Sequence, residues 1–277
     1  MNYKNLIQQF KNFISYFANN IQFLYCYWIN KIFRLDHQIE TLDFISENNK
    51  IQFKYHFADS LDKYYQIISY HSELEISDKT TIESHLNHVW TTTISSNFNN
   101  SVDNLPNSIT KLKLLGAFRK SVDSLPQNLL HLELGYHFNK TVDSLPNSLT
   151  HLILGDHFDK PINSLPFSLI YLSLGDSFNK SVDMLPENIK FIEFGRDFNQ
   201  SIVNLPNGIK NIEFVFGSKF ANSINSIPES VEIIKLPFNY LEKINKLPKN
   251  IKTINCSSTC NKYNNIPNGV VLLQRLF

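Results

Sequence analysis

No proline and no glycine occurs before residue 106, although the chain holds 11 prolines and 8 glycines. A stretch without helix breakers beside one punctuated by them marks a composition boundary, which falls near residue 97. Cysteine is scarce: Cys26, Cys256 and Cys260 are too few, and odd in number, for a disulfide framework. A reducing compartment, hence an intracellular and cytoplasmic location, is the expectation. No charge sign dominates, since 26 Lys+Arg stand against 25 Asp+Glu for a formal net charge of +1. That excludes the basic footprint of a nucleic-acid binder and an acidic tail. No apolar run reaches the roughly 18 residues a membrane span needs. The aromatic run at 21–33, IQFLYCYWINKIF, therefore reads as a buried helix. No nucleophile elbow, phosphate loop, H-E-x-x-H or paired-carboxylate signature occurs, so the expectation is a non-enzyme without a cofactor or metal.

What is present is a twenty-residue unit written repeatedly, for example FNKTVDSLPNSLTHLILGDH at 138–157. Its aromatic anchor recurs as Phe98, Phe118, Phe138, Phe158, Phe178, Phe198, Phe220 and Tyr240, with Cys260 in the ninth place. The register breaks once, where VFGSK holds two extra residues between 198 and 220. Four residues after each of the first eight anchors comes Val or Ile, and three further on a Leu or Ile followed by Pro. A Leu-x-x-Leu-x-Leu pattern closes the unit, as in Leu129, Leu132 and Leu134, where alternation with His131 and Glu133 predicts a short strand with one face inward. Gly135 and its equivalents end the strand, where a residue without a Cβ can turn sharply. The proline donates no amide hydrogen bond, so Leu-Pro suits an extended return segment outside the sheet. One unit is a single coil that cannot bury its apolar side chains alone. Stacked copies can, with strands about 4.8 Å apart.

Before the array, Leu6, Phe10, Phe13, Phe17, Ile21, Leu24, Trp28 and Ile32 recur at helical spacing. SLDKYYQIISY predicts a further helix, and KIQFKYHF alternates like a strand. Residues 1–77 are expected to form a mainly helical cap, and 78–97 a degenerate capping repeat with Val89 and Ile94 on core positions. Residues 98–277 are expected to form the solenoid. The predicted fold class is an α/β-type repeat protein of about nine coils with a parallel sheet.

The units FNNSVDNLPNSITKL, FNKTVDSLPNSLTHL and FNKSVDMLPENIKFI resemble FNIP repeats, a distant class of leucine-rich repeat. The resemblance implies a solenoid used for protein–protein interaction, sometimes behind an F-box-like N-terminus, with no catalytic residues to carry over. The expected function is a non-enzymatic interaction module. The alternative is a ubiquitin-ligase substrate adaptor whose residues 1–50 dock a Skp1-like scaffold, although that segment lacks the Leu-Pro that usually opens an F-box. An enzyme with its site in the N-terminal segment ranks lowest. Leucine-rich repeats usually carry Asn three residues after the last strand leucine, where this chain has His137, His157, Ser177 and Asp197. Any asparagine ladder must use the Asn that follows Phe, or be absent.

Most residues of chemical interest have a plain structural account. Cys256 and Cys260 fall on core positions of the repeat, and free cysteine packs as a small apolar residue. The pairs His131 with His151 and His137 with His157 follow from repeat copying, since a structural zinc site wants four ligands. The row Lys120, Lys140, Lys160 and Lys180 beside Asp103, Asp123, Asp143 and Asp183 reads as a solvated edge of offsetting charges. The outward strand positions remain. One row runs Lys111, His131, His151, Tyr171, Phe191 and Asn211; the other runs Lys113, Glu133, Ile153, Ser173, Glu193 and Glu213. Apolar side chains flanked by charge, on a face that folding does not require to be apolar, form the candidate partner-binding surface.

Overall fold

The computed structural model describes residues 98–256 except Asn104, residues 270–274, and four strands between residues 44 and 94. Thirteen strands form one sheet in chain order among these residues. They are β1 (Phe44–Glu47), β2 (Lys50–Phe53), β3 (Glu73–Ile76), β4 (Thr91–Ile94), β5 (Lys111–Leu114), β6 (His131–Leu134) and β7 (His151–Ile153). There follow β8 (Tyr171–Ser173), β9 (Phe191–Phe194), β10 (Asn211–Phe214), β11 (Ile233–Lys235), β12 (Thr253–Cys256) and β13 (Val271–Gln274). β1 pairs antiparallel with β2, and every later pairing is parallel. Each coil thus adds one strand beside the last, so residue i faces i+20 in the neighbouring coil, as Leu132 does Leu152.

Burial follows the repeat. The anchors from Phe98 to Tyr240, the β-branched residues after them and the inward strand positions form one continuous apolar core. The anchor rings stack from coil to coil with centroids 6.1–6.2 Å apart and planes within 6–11°. The VFGSK insertion does not disturb this ladder, because Phe198 and Phe220 keep the same 6.1 Å step. The two extra residues are absorbed in the turn, where Gly217 takes a φ of +79° that L-residues with a side chain rarely adopt.

Four glycines do something other than turn. Gly135, Gly155, Gly175 and Gly195 have no positive φ, unlike Gly116 and Gly217. A Cβ on Gly155 would lie 2.1 Å from the Gly135 carbonyl oxygen, and one on Gly175 would lie 2.0 Å from that of Gly155. Close nesting of one turn on the next, and not a sharp turn, therefore demands glycine there. Val215 carries a Cβ at the next equivalent position, and the two-residue insertion begins at that turn.

A polar ladder flanks the anchors. The side-chain oxygens of Asn99, Asn139, Asp159, Asn179 and Asn199 accept from the amides of Arg119, Asp159, Asn179, Asn199 and Ala221, one coil on, at 2.9–3.1 Å. These are the residues that follow Phe, where an asparagine ladder was expected if any existed. They satisfy return-segment amides that no strand partner reaches.

Several expectations change. The mainly helical cap over 1–77 lies outside the described residues except for β1, β2 and β3, which are strands; β2 coincides with the alternating KIQF. The degenerate repeat at 78–97 is described only at β4, whose Ile94 is in register with Leu114. Eight anchors are described, and the ninth, Cys260, lies outside the described residues. Cys256 is buried on its strand position as expected, yet it is disulfide-bonded and not a free thiol. The Lys and Asp rows do not pair within a coil. Asp103, Asp123 and Asp183 instead accept from the hydroxyls of Ser101, Ser121 and Ser181, and Lys180 reaches Asp159 of the preceding coil at 2.8 Å.

Candidate functional site

The parallel register sets the twelve outward residues in two adjacent rows. Lys111, His131, His151, Tyr171, Phe191 and Asn211 are consecutive pairing partners, as are Lys113, Glu133, Ile153, Ser173, Glu193 and Glu213. Their side chains are exposed or half-buried, while the residues between them, such as Leu132 and Ile192, are buried. Ile153 is 36 % exposed, which makes it an apolar side chain presented to solvent at the middle of the face.

Four rings of the first row stack into a second aromatic ladder. His131 and His151 lie 4.2 Å apart, His151 and Tyr171 5.6 Å, and Tyr171 and Phe191 4.6 Å, with planes within 5–22°. Cross-strand aromatic pairs stabilise a sheet by about 0.5–1.5 kcal/mol each beyond area burial. Folding thus has a use for Tyr171 and Phe191 that their outward position alone does not reveal. Because the rings cover one another's faces, their edges are what the sheet surface offers. Thr150 Oγ1 lies 2.9 Å from His151 Nδ1, which fixes that ring within its row.

Charge is distributed unevenly along the face. At the β5 end, Lys113 pairs with Glu133 at 2.8 Å while Lys111 has no ion pair among the described residues. At the β9–β11 end, Lys235 pairs with Glu213 at 3.3 Å while Glu193 has none among the described residues. The titrations reflect these surroundings. Burial, then His151 and Lys111, lowers the His131 pKa; burial, then Lys111, lowers that of His151. Burial and then Glu213 raise the Glu193 carboxyl, and burial with Glu193 and Glu213 raises the Tyr171 phenol.

The rows extend further than the sequence reading took them. Ile233, Thr253 and Val271 continue the first, and Lys235, Asn255 and Leu273 the second. Carrying the twenty-residue register past the insertion with its two-residue offset would have found the first two residues of each. Among the described residues, no group of three or more His, Cys, Asp or Glu side chains is arranged to hold a metal ion. Nor is any helix among them long and apolar enough to cross a membrane.

The FNIP Repeat family matches residues 98–137, 120–156, 138–177, 158–197 and 178–216. Among solved structures, CroV588, described as a novel circular leucine-rich-repeat protein, matches with a TM-score of 0.66 at 28 % identity over 83 % of this chain. The chain spans only 34 % of the length of that protein. YopM from Yersinia enterocolitica WA-314 matches at a TM-score of 0.40 and 15 % identity, over 74 % of this chain and 53 % of its own. No curated protein matches the sequence. With five overlapping matches on coils that stack into one parallel sheet, residues 98–216 are an array of FNIP repeats, and the protein is an FNIP repeat-containing one with a leucine-rich-repeat-like fold.

Proposed function

We propose that the solenoid is a non-enzymatic protein–protein interaction module that receives its partner on the outward strand face. The observation that carries this reading is a contrast within each coil. Anchors and inward strand positions repeat almost without change, whereas the outward positions change from coil to coil in charge, size and aromaticity. Packing accounts for the first set, and recognition uses the second. A stack of ring edges flanked by charged groups has the make-up of an interface centre with a polar rim. The adaptor reading, with residues 1–50 docking a Skp1-like scaffold, has no observation among the described residues in its favour and is not advanced.

A photo-crosslinking side chain placed at position 153, on the face, tests the reading against one at position 143, on the exposed return segment. Covalent capture of one same protein partner from position 153 and not from 143 is the expected result. Capture from 143 alone would move the interface to the other side of the coil.

A further inference from the structure

We propose that the strand face takes an extended peptide segment lying across the strands, with a carboxylate at the β5 end, apolar or aromatic side chains over the ring edges, and a basic group at the β9–β10 end. This rests on the strand-face reading and specifies what fits there. Three observations lead to it.

The first is shape. From β5 to β10 the two rows cover five strand steps, roughly 24 Å, while their width is that of two alternate residues on one strand, about 7 Å. A long stripe one or two side chains wide matches an extended segment better than a rounded protein surface.

The second is charge. Among the described side chains, the β5 end holds Lys111, Lys113 and Glu133, so one positive charge is left over there after the Lys113–Glu133 pair forms. The other end holds Glu193, Glu213 and Lys235, so one negative charge is left over after the Lys235–Glu213 pair. No other Lys, Arg, Asp or Glu occupies these two rows from β5 to β12. Lys111 and Glu193 are four strand steps apart, roughly 19 Å. That exceeds the Debye length of about 8 Å at physiological salt, so the two ends act on a ligand independently and do not neutralise each other. An extended chain advances about 3.3 Å per residue, which places the complementary acidic and basic groups about six residues apart.

The third is the ladder between them. Its rings expose edges, which carry the positive side of the aromatic quadrupole, and Ile153 stands exposed beside them. Such a surface suits the face of a ligand aromatic ring or an apolar side chain. It does not offer open ring faces for successive bases to stack on.

The test selects a random dodecapeptide library against the full chain, then measures the affinity of the recovered peptides for variants. The expected peptides carry an acidic and a basic residue about six positions apart with an aromatic or apolar residue between. Their binding falls when Tyr171→Ser is introduced. Lys111→Glu and Glu193→Lys each weaken it by about tenfold. The double variant Lys111→Glu/Glu193→Lys recovers binding for a peptide whose two charges are exchanged. Circular dichroism of each variant shows whether the sheet is intact, and Lys111→Gln or Glu193→Gln replaces the corresponding charge reversal where that disturbs it. Peptides that depend on Tyr171 but show no charge pattern and ignore Lys111 and Glu193 would overturn the polarity while leaving the strand-face reading in place. If no recovered peptide depends on Tyr171, both fall.

Discussion

The molecule contains two aromatic ladders built by the same twenty-residue step, one inside and one outside. Inside, the anchor rings keep a spacing of 6.1–6.2 Å over seven consecutive steps. Outside, three steps range from 4.2 to 5.6 Å. The core is close-packed on every side, so each ring is held where its neighbours allow and the step cannot vary. On the outer face the rings are only half-buried, so they are packed on fewer sides and their spacing is free to vary. Uniform spacing thus marks residues whose job is stacking, and irregular spacing marks residues with room to meet something else.

The comparison breaks most directly at an inner rung. Phe138→Ala leaves a ring-sized cavity with Phe118 and Phe158 facing it, and a loss of about 3–5 kcal/mol is expected in urea denaturation. Close nesting can be challenged without touching either ladder. Gly155→Ala puts a Cβ against the Gly135 carbonyl, where backbone and not a flexible side chain must give way. A loss of about 1–3 kcal/mol is expected from the same measurement. If Gly155→Ala were neutral, the coils would be looser than the contacts describe. An outer rung is expected to matter less. Tyr171→Ser removes two stacking contacts and should cost about 1–2 kcal/mol, while Tyr171→Phe, which keeps them, should be nearly neutral. A Tyr171→Ser loss as large as that at Phe138 would erase the distinction between the ladders.

The smallest expected effect is on pH dependence. The His131 and His151 pKa values are lowered below the ordinary value of 6.5 by burial first, then by His151 and Lys111 for His131 and by Lys111 for His151. The folded chain therefore binds protons less readily than the unfolded chain at these sites. Their contribution to stability is fully present above about pH 6.5 and is lost as the pH falls through the folded values. Glu232 has the same sign in a lower window, since its hydrogen bonds to Lys210 and Lys252 hold its pKa at about 2 against 4.5. Glu193, raised by burial and Glu213, acts in the opposite sense and relieves its cost as the pH falls. Denaturation midpoints measured from pH 7.5 to 5 should decline, and the decline should flatten in the double variant His131→Gln/His151→Gln. An unchanged slope would mean that the outer stack carries no titration coupled to folding.

The coil itself was legible in the sequence because its causes are local and repeated. The period, the inward residues such as Leu132 and Leu134, and the strand at His131–Leu134 follow from apolar spacing read off a single unit. The two outward rows were legible for the same reason, since alternation assigns His131 and Glu133 to the face that Leu132 avoids. What was not legible lies between coils. Gly155 was assigned to a sharp turn because glycine allows one, and only the distance to Gly135 shows that nesting is the reason. The Lys and Asp rows read as a solvated edge whose charges offset one another. The serine two residues before each of Asp103, Asp123 and Asp183 competes better, being already fixed by the turn.

By itself, then, the sequence determined the repeat, the core residues and the identity of the face. Only the tertiary structure decided that the Asn after Phe forms the polar ladder, that His131, His151, Tyr171 and Phe191 stack, and that Lys111 and Glu193, at opposite ends, have no ion pair among the described residues. The reason is physical. Burial follows from where a residue sits within its own coil, a one-dimensional property. Stacking, nesting and charge pairing depend on the few ångströms separating residues twenty apart, which no single unit contains.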